Sequence, residues 1–220
     1  MTATLELFTY WRSSAAYRVR IGLNLKGLPH ALTPVHLLRD GGQQHAADYV
    51  ALNPQHLVPT LRHGERVLGQ SLAILEYLDE AFPGTPRLLP SDPEGRARVR
   101  ALAQVVACDV HPLNNLRVMQ YFEREWEIGA ARRDEWMRHW MRAGFEALEA
   151  LLSGHAETGR FCHGDDPGLA DACLVPQLYN ARRFGADLAP YPTLLRIEQA
   201  CLALDAFDRA RPERQPDAML

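Results

Sequence analysis

Four prolines fall within eleven residues, Pro83-Gly84-Thr85-Pro86-Arg87-Leu88-Leu89-Pro90-Ser91-Asp92-Pro93. No helix or central strand runs through such a stretch, because each proline removes a backbone donor and fixes φ. The segment therefore divides the chain. Before it, short β-like runs alternate with helical ones. After it, from about Glu94 to Phe207, the apolar spacing is almost wholly helical. The expected organisation is a mixed domain over 1–83, a linker over 84–93 and an all-helical domain over 94–220.

The first half predicts a strand over 5–10, a loop over 11–14 and a helix over 15–26. Gly27 stands where a helix-ending glycine belongs. A second strand follows over 31–37, then a turn at Asp40-Gly41-Gly42. Runs at 57–61 and 66–68 flank His63-Gly64-Glu65 and suit a hairpin. A helix over 71–81 begins at Ser71, a natural N-cap. This β-α-β then β-β-α order predicts a small mixed sheet with helices on its faces. The second half predicts helices near 94–125, 132–153, 168–183 and 193–207, with apolar stripes at Leu102, Val105, Val106 and Val110 and at Phe145, Leu148, Leu151 and Leu152. A helical bundle is the simplest package. Pro112 should kink or end the first of these helices.

The 220 residues are 47% hydrophobic and 23% charged, which fits a folded domain and excludes a disordered chain. The formal net charge is −3, so no basic field favours nucleic acid. No apolar run approaches the roughly 20 residues that span a bilayer, and Met1–Leu7 lacks the regions of a signal peptide. A cytoplasmic location is expected. The four cysteines form no CxxC pair and read as reduced structural thiols. No HExxH or comparable spacing suggests a metal site. Lys26 is the lone lysine among 24 basic residues, a bias that lowers the weight of any single arginine.

Several segments carry chemistry alongside a plain structural use. Ser13 or Ser14 falls at a helix N-terminus, where a hydroxyl donates to an anion or caps the helix. Pro59 fits a cis turn that frees Val58's backbone, or a trans strand start. Gln70-Ser71 marks another helix start, suited to a carboxylate or to a cap. Cys108-Asp109-Val110-His111-Pro112-Leu113-Asn114-Asn115-Leu116-Arg117 is densely polar for a helix. Arg182-Arg183 ends a helix, where cations are favourable on charge alone.

Together these pieces resemble the cytosolic glutathione transferases. Arg12-Ser13-Ser14, Arg18-Val19-Arg20-Ile21, Asp40-Gly41-Gly42-Gln43-Gln44, Ala51-Leu52-Asn53-Pro54, Val58-Pro59-Thr60-Leu61 and Gln70-Ser71-Leu72-Ala73-Ile74 look like the zeta class, the maleylacetoacetate isomerase group. Leu169-Ala170-Asp171, Leu174-Val175-Pro176-Gln177, Asp187-Leu188, Pro190-Tyr191-Pro192 and Arg214-Gln215-Pro216-Asp217 extend the resemblance over nearly the whole chain.

The resemblance implies an α/β thioredoxin-like domain followed by an all-α domain, a homodimer, and glutathione as cofactor. It implies isomerisation of maleylacetoacetate to fumarylacetoacetate by thiolate addition, bond rotation and elimination. By position, Ser13 or Ser14 would meet the glutathione sulfur, and Arg12, with Arg183, would supply a cation for the diacid substrate and the developing enolate. Val58 and Pro59 would meet the cysteinyl backbone, Gln70 and Ser71 the γ-glutamyl carboxylate, Gln44 the glycyl end and Asp109 the γ-glutamyl amine across the dimer. His111, Arg117 and Arg183 would contact the substrate, as in the related maleylpyruvate isomerases. Three positions depart from the pattern. Ala15 replaces the signature cysteine, Gly168 replaces a Ser or Thr cap, and Leu116 replaces the first of two arginines. Maleylpyruvate isomerase, general transferase or dehalogenase activity, and a non-catalytic glutathione binder are the alternatives.

Overall fold

The computed structural model describes residues 4–219. Among the described residues, four strands and nine α-helices follow one another, with short 3₁₀ and π segments between them. The chain divides into two compact units, Met1–Leu89 with Ala203–Leu220, and Pro90–Leu202. The division differs from the expected one at the C-terminus: residues 203–220, expected with the helical half, group with the first unit.

In the first unit, β1 (Leu5–Thr9), β2 (His30–Pro34), β3 (Thr60–His63) and β4 (Arg66–Gly69) form one sheet in the order β2-β1-β3-β4. β1 pairs parallel with β2, Leu5 opposite His30, and antiparallel with β3, Phe8 opposite Thr60. α1 (Ser14–Leu25) makes the β1–β2 crossover. Gly27 follows it at φ +63°, and the Leu28 and Gly27 N–H groups close back on the Leu23 and Asn24 carbonyls. That left-handed exit is cheap only for glycine. α2 (Ala47–Leu52), absent from the sequence-based expectation, fills the β2–β3 connection, and α3 (Ser71–Ala81) follows the hairpin. Leu7, Val19, Leu23, Leu61, Ile74 and Leu75 are fully buried between sheet and helices.

Lys26 is also buried. It donates to Asp79 Oδ1 at 3.0 Å and to the Pro86 carbonyl at 2.9 Å, while Asp79 accepts the Leu88 and Leu89 amides. The lone lysine and one aspartate thus fasten the middle of the proline-rich segment, Pro86 to Leu89, to the end of α1 and to α3. α9 (Asp205–Ala210) packs against α1, and Asn24 Nδ2 donates to the Ala206 carbonyl at 2.9 Å.

The second unit holds α4 (Pro93–Gln104), α5 (Leu116–Glu125), α6 (Ala130–Leu152), α7 (Leu169–Arg183) and α8 (Pro192–Leu202). α7 is its axis, buried almost throughout from Leu169 to Ala181. The helix predicted over 94–125 is interrupted. A π turn over Val105–Val110 and a 3₁₀ turn over His111–Asn114 separate α4 from α5. Gly144 on α6 explains the close packing there, since a Cβ on it would stand 2.1 Å from Val110 Cγ2. The helix predicted over 193–207 likewise ends at Leu202, before α9. Leu151, expected in the core stripe, is 49% exposed. All four cysteines are free thiols, with Cys108 exposed and the others buried. Among the described residues no helix is long and apolar enough to cross a membrane.

Candidate functional site

The β1–α1 turn is held by its own backbone and by the start of α1. Ser13 is the N-cap of α1; its Oγ accepts the Ala16 N–H at 3.2 Å, and its own N–H closes on the Tyr10 carbonyl at 3.0 Å. A hydroxyl oxygen that accepts an amide still has a proton to donate, and among the described residues that proton has no acceptor. The unpaired amides and positive dipole of the helix start sit beside it. Ser14, the first helical residue, is 8% exposed.

Arg20 organises this turn from beneath. It is 1% exposed and donates to the Thr9 hydroxyl and to the carbonyls of Tyr10, Trp11 and Ala210, at 3.0–3.3 Å. Arg12 lies over the Trp11 ring at 4.6 Å and donates to the Tyr10 hydroxyl at 3.3 Å. Tyr10, Trp11, Val35, Tyr49 and Val58 form one buried apolar cluster under the turn.

The Val58–Pro59 peptide is cis. Tyr49 and Asn53, from and just after α2, hold it by both flanks. The Tyr49 hydroxyl donates to the Leu57 carbonyl at 2.6 Å and lies 2.9 Å from Thr60 Oγ1. Asn53 Nδ2 donates to the same two acceptors at 2.9 Å. Burial pushes the Tyr49 hydroxyl pKa up, against the pull of those partners, so it stays a neutral donor. Among the described residues the Val58 N–H and carbonyl make no hydrogen bond, which leaves a backbone edge open to an extended ligand.

Ser71 does not cap α3. It is the first helical residue, and Gln70 takes the cap position without a side-chain cap bond. Ser71 Oγ accepts instead from buried Arg18 at 3.2 Å. Gln70 has φ +65° and donates from Nε2 to Gln55 at 2.9 Å. A non-glycine residue there carries strain of order 1 kcal/mol or more, a feature that clusters at ligand clamps. Gln44 is buried and donates to the Leu37 carbonyl at 3.4 Å, and its Oε1 has no partner among the described residues. His36 Nδ1 accepts the Leu38 and Arg39 amides at 3.1 and 2.9 Å. Burial, with Arg39 next, lowers its pKa and favours the neutral ring those bonds require.

In the second unit, Asp109 is exposed on the π turn and Arg117 is exposed on the first turn of α5. His111 is half-buried at the start of the 3₁₀ turn. Arg182 and Arg183 divide their work at the end of α7. Arg182 is paired with Glu198 through two bonds of 2.5 Å, which raise its pKa further. Arg183 is exposed, with its guanidinium 4.8 Å from the Phe184 ring centroid. A cavity of about 800 Å³ in this unit is lined by Arg138, Arg142, Phe145 and Tyr191 among others, and by none of the residues expected to act.

Family models for the glutathione S-transferase N-terminal and C-terminal domains match residues 12–81 and 130–211. The chain belongs to the glutathione S-transferase family. It is 51% identical over 209 residues to the maleylacetoacetate isomerase of Rhizobium meliloti, covering 94% of this chain and 96% of that one. The holo structure of a maleylpyruvate isomerase, a bacterial zeta-class transferase, superposes with a TM-score of 0.94 at 48% identity, over 97% of this chain and 100% of the other. A maleylacetoacetate isomerase from Methylobacterium extorquens, solved with malonate and glutathione, gives 0.92 at 46% identity over 98% and 100%.

Within this transferase fold, Arg12, Ser13, Ser14, Gln44, Val58, Pro59, Gln70 and Ser71 all lie in the first unit, on the turns around one sheet end. Asp109, His111, Arg117 and Arg183 lie in the second. Arg18, Arg20 and Asn53 stand in the family-like stretches with no role that the sequence assigns, and Tyr49 stands outside them; all four hold the first group in place. The alternation Tyr17-Arg18-Val19-Arg20-Ile21 was the available signal for two of them, since it drives two cations into the apolar part of α1.

Proposed function

We propose that this transferase is a glutathione-dependent cis–trans isomerase of maleylacetoacetate, giving fumarylacetoacetate. Ser13 carries the reading. Its oxygen is occupied by Ala16 while its proton is uncommitted, at a helix N-terminus that favours an anion. The rest of the first unit fits a glutathione molecule: an open Val58 backbone edge, an orphaned Gln44 Oε1, and the strained start of α3 at Gln70 and Ser71.

When bound, glutathione supplies a thiolate that adds reversibly to the activated alkene and so permits rotation about the former double bond. The Ser13 hydroxyl donates to the sulfur and lowers the thiol pKa. Ser14, buried on the same first turn, is the neighbouring candidate. Val58 pairs its backbone with the cysteinyl segment, and Pro59 fixes that edge. Gln70 and Ser71 hold the γ-glutamyl carboxylate at the α3 N-terminus. Gln44 holds the glycyl end, and Asp109 the γ-glutamyl amine from the partner subunit of a homodimer. Arg12, Arg117 and Arg183 serve the substrate carboxylates and the developing enolate, with His111 as donor. Ala15 leaves no protein thiol at the signature position, so the nucleophile comes from the cofactor alone. Free, mostly buried thiols suit a reducing cytoplasm.

Maleylpyruvate is the second reading, favoured by the run from Cys108 to Asn115 and opposed by Leu116. The experiment follows maleylacetone, maleylacetoacetate and maleylpyruvate by loss of their ultraviolet bands, with and without glutathione. Glutathione-dependent turnover, fastest with maleylacetoacetate, is expected. Turnover of maleylpyruvate alone selects the second reading, and turnover of none with glutathione still bound refutes both.

A further inference from the structure

The C-terminal Arg214-Gln215-Pro216-Asp217 run has no place in the chemistry above, yet it is built into the first unit. Gln215 is buried and donates from Nε2 to the Arg209 and Arg211 carbonyls at 2.9 and 2.7 Å, which closes the end of α9. Ala218 packs against the Tyr10–Trp11–Val58 cluster. Between them, Asp217 Oδ2 accepts the Trp11 N–H at 3.0 Å, across 206 residues of sequence. Asp217 Oδ1 is buried and without a partner among the described residues.

Trp11 lies just past the end of β1, so its N–H is outside the β-ladder. Without Asp217 that amide would be a buried donor with no acceptor. The carbonyl of the same residue is held by Arg20, which also holds the last carbonyl of α9. Trp11 is therefore gripped at both polar ends of its backbone, one end by α1 and the other by the C-terminal tail. The next two residues are Arg12 and Ser13.

We infer that Asp217 is a positioning residue for the reaction: by fixing the Trp11 amide it sets where the Arg12–Ser13 segment meets the cofactor thiol. This rests on the reading of Ser13 as the thiol's partner. A carboxylate is well suited to the task, because a charged acceptor makes the stronger bond to a backbone amide. Half-buried like Arg12, it lies close enough to His36 that both charges bear on the ring, Asp217 raising its pKa and Arg12 lowering it.

The test uses the full-length chain and the variants Asp217→Ala and Asp217→Asn. Three quantities are read: hydrogen exchange at the Trp11 amide without ligand, the titration midpoint of the bound glutathione thiol by its thiolate absorbance, and kcat and KM for maleylacetone. In Asp217→Ala, faster Trp11 exchange, a thiol midpoint raised toward that of free glutathione, and a kcat lower by about 10–100-fold are expected, since small misplacements of reacting groups cost that much. Asp217→Asn keeps an acceptor oxygen and should hold all three near wild type. A wild-type thiol midpoint and kcat in Asp217→Ala overturn the inference even if its Tm falls, because a purely structural role predicts that pattern. Should the alanine variant not fold, Asp217→Ser is read in the same way. If the wild-type chain binds glutathione but turns over no alkene, the isomerase reading fails and the thiol midpoint alone decides on Asp217. If it binds no glutathione, both claims fall.

Discussion

The turn before α1 and the break between α4 and α5 are both functional in this account, and they are built in opposite ways. At the first, the backbone groups of Tyr10, Trp11 and Ser13 are tied to Arg20, to Asp217 or to one another. At the second, a π turn carrying exposed Asp109 runs into a 3₁₀ turn that contains Pro112, and exposed Arg117 stands on the first turn of α5 beyond it. The first holds a hydroxyl in one place. The second spends regular helix to open a stretch of polar side chains, in keeping with the use of π turns at functional sites. Positioning of the thiol should therefore be rigid, and recognition of the substrate adaptable.

Four substitutions or conditions test that contrast. The largest effect is expected from Arg20→Met, which takes the donor from the Thr9 hydroxyl and the Trp11 and Ala210 carbonyls and leaves Tyr10's carbonyl only the Ser13 amide; it should cost at least about 3 kcal/mol of stability, measured by denaturant unfolding. A loss below about 1 kcal/mol would mean the turn does not depend on this clamp. Next is Ser13→Asn, which keeps a helix cap but removes the hydroxyl. Isomerase activity should fall by roughly 100-fold, as for other lost donors to a developing anion, with Tm nearly unchanged. Third is Arg183→Ala, expected to raise KM for the diacid by about tenfold through one lost charged contact while leaving stability alone.

The smallest effect concerns pH. The folded pKa of His36 lies below its usual 6.5, so the unfolded chain takes up the proton first as pH falls. His36 thus contributes stability that is full above about pH 6.5 and is lost as pH drops through the folded value. His36→Asn, whose Oδ1 still accepts the amides two and three residues on, should flatten that part of the stability–pH curve. An unchanged slope would remove His36 from the account of the first region.

The two regions also differ in how far the sequence discloses them. The helix start at Ser13, the glycine exit at Gly27 and the proline at 59 are local signals, and each stands within a residue or two of its expected place. Ser71 reads locally as a cap or as part of a carboxylate site, and neither reading discloses the buried Arg18 that occupies it from 53 residues away. The same distance problem hides Asp217, whose partner amide lies at the other end of the chain, and it hides the return of α9 to α1. α2 is not legible in the sequence because Ala47–Leu52 is too short to show helical periodicity. In the second unit Pro112 predicts that the helix ends, but not the π turn before it, which arises where Val110 meets Gly144.

The most direct test of the central claim follows glutathione itself. Maleylacetone is supplied in large excess over glutathione, and both are quantified after the reaction. Many turnovers per glutathione are expected, with the glutathione recovered unmodified, because the thiolate that adds is later expelled. Consumption of glutathione one-for-one with the alkene, leaving a stable conjugate, would contradict it and make the chain a transferase in activity as well as in fold.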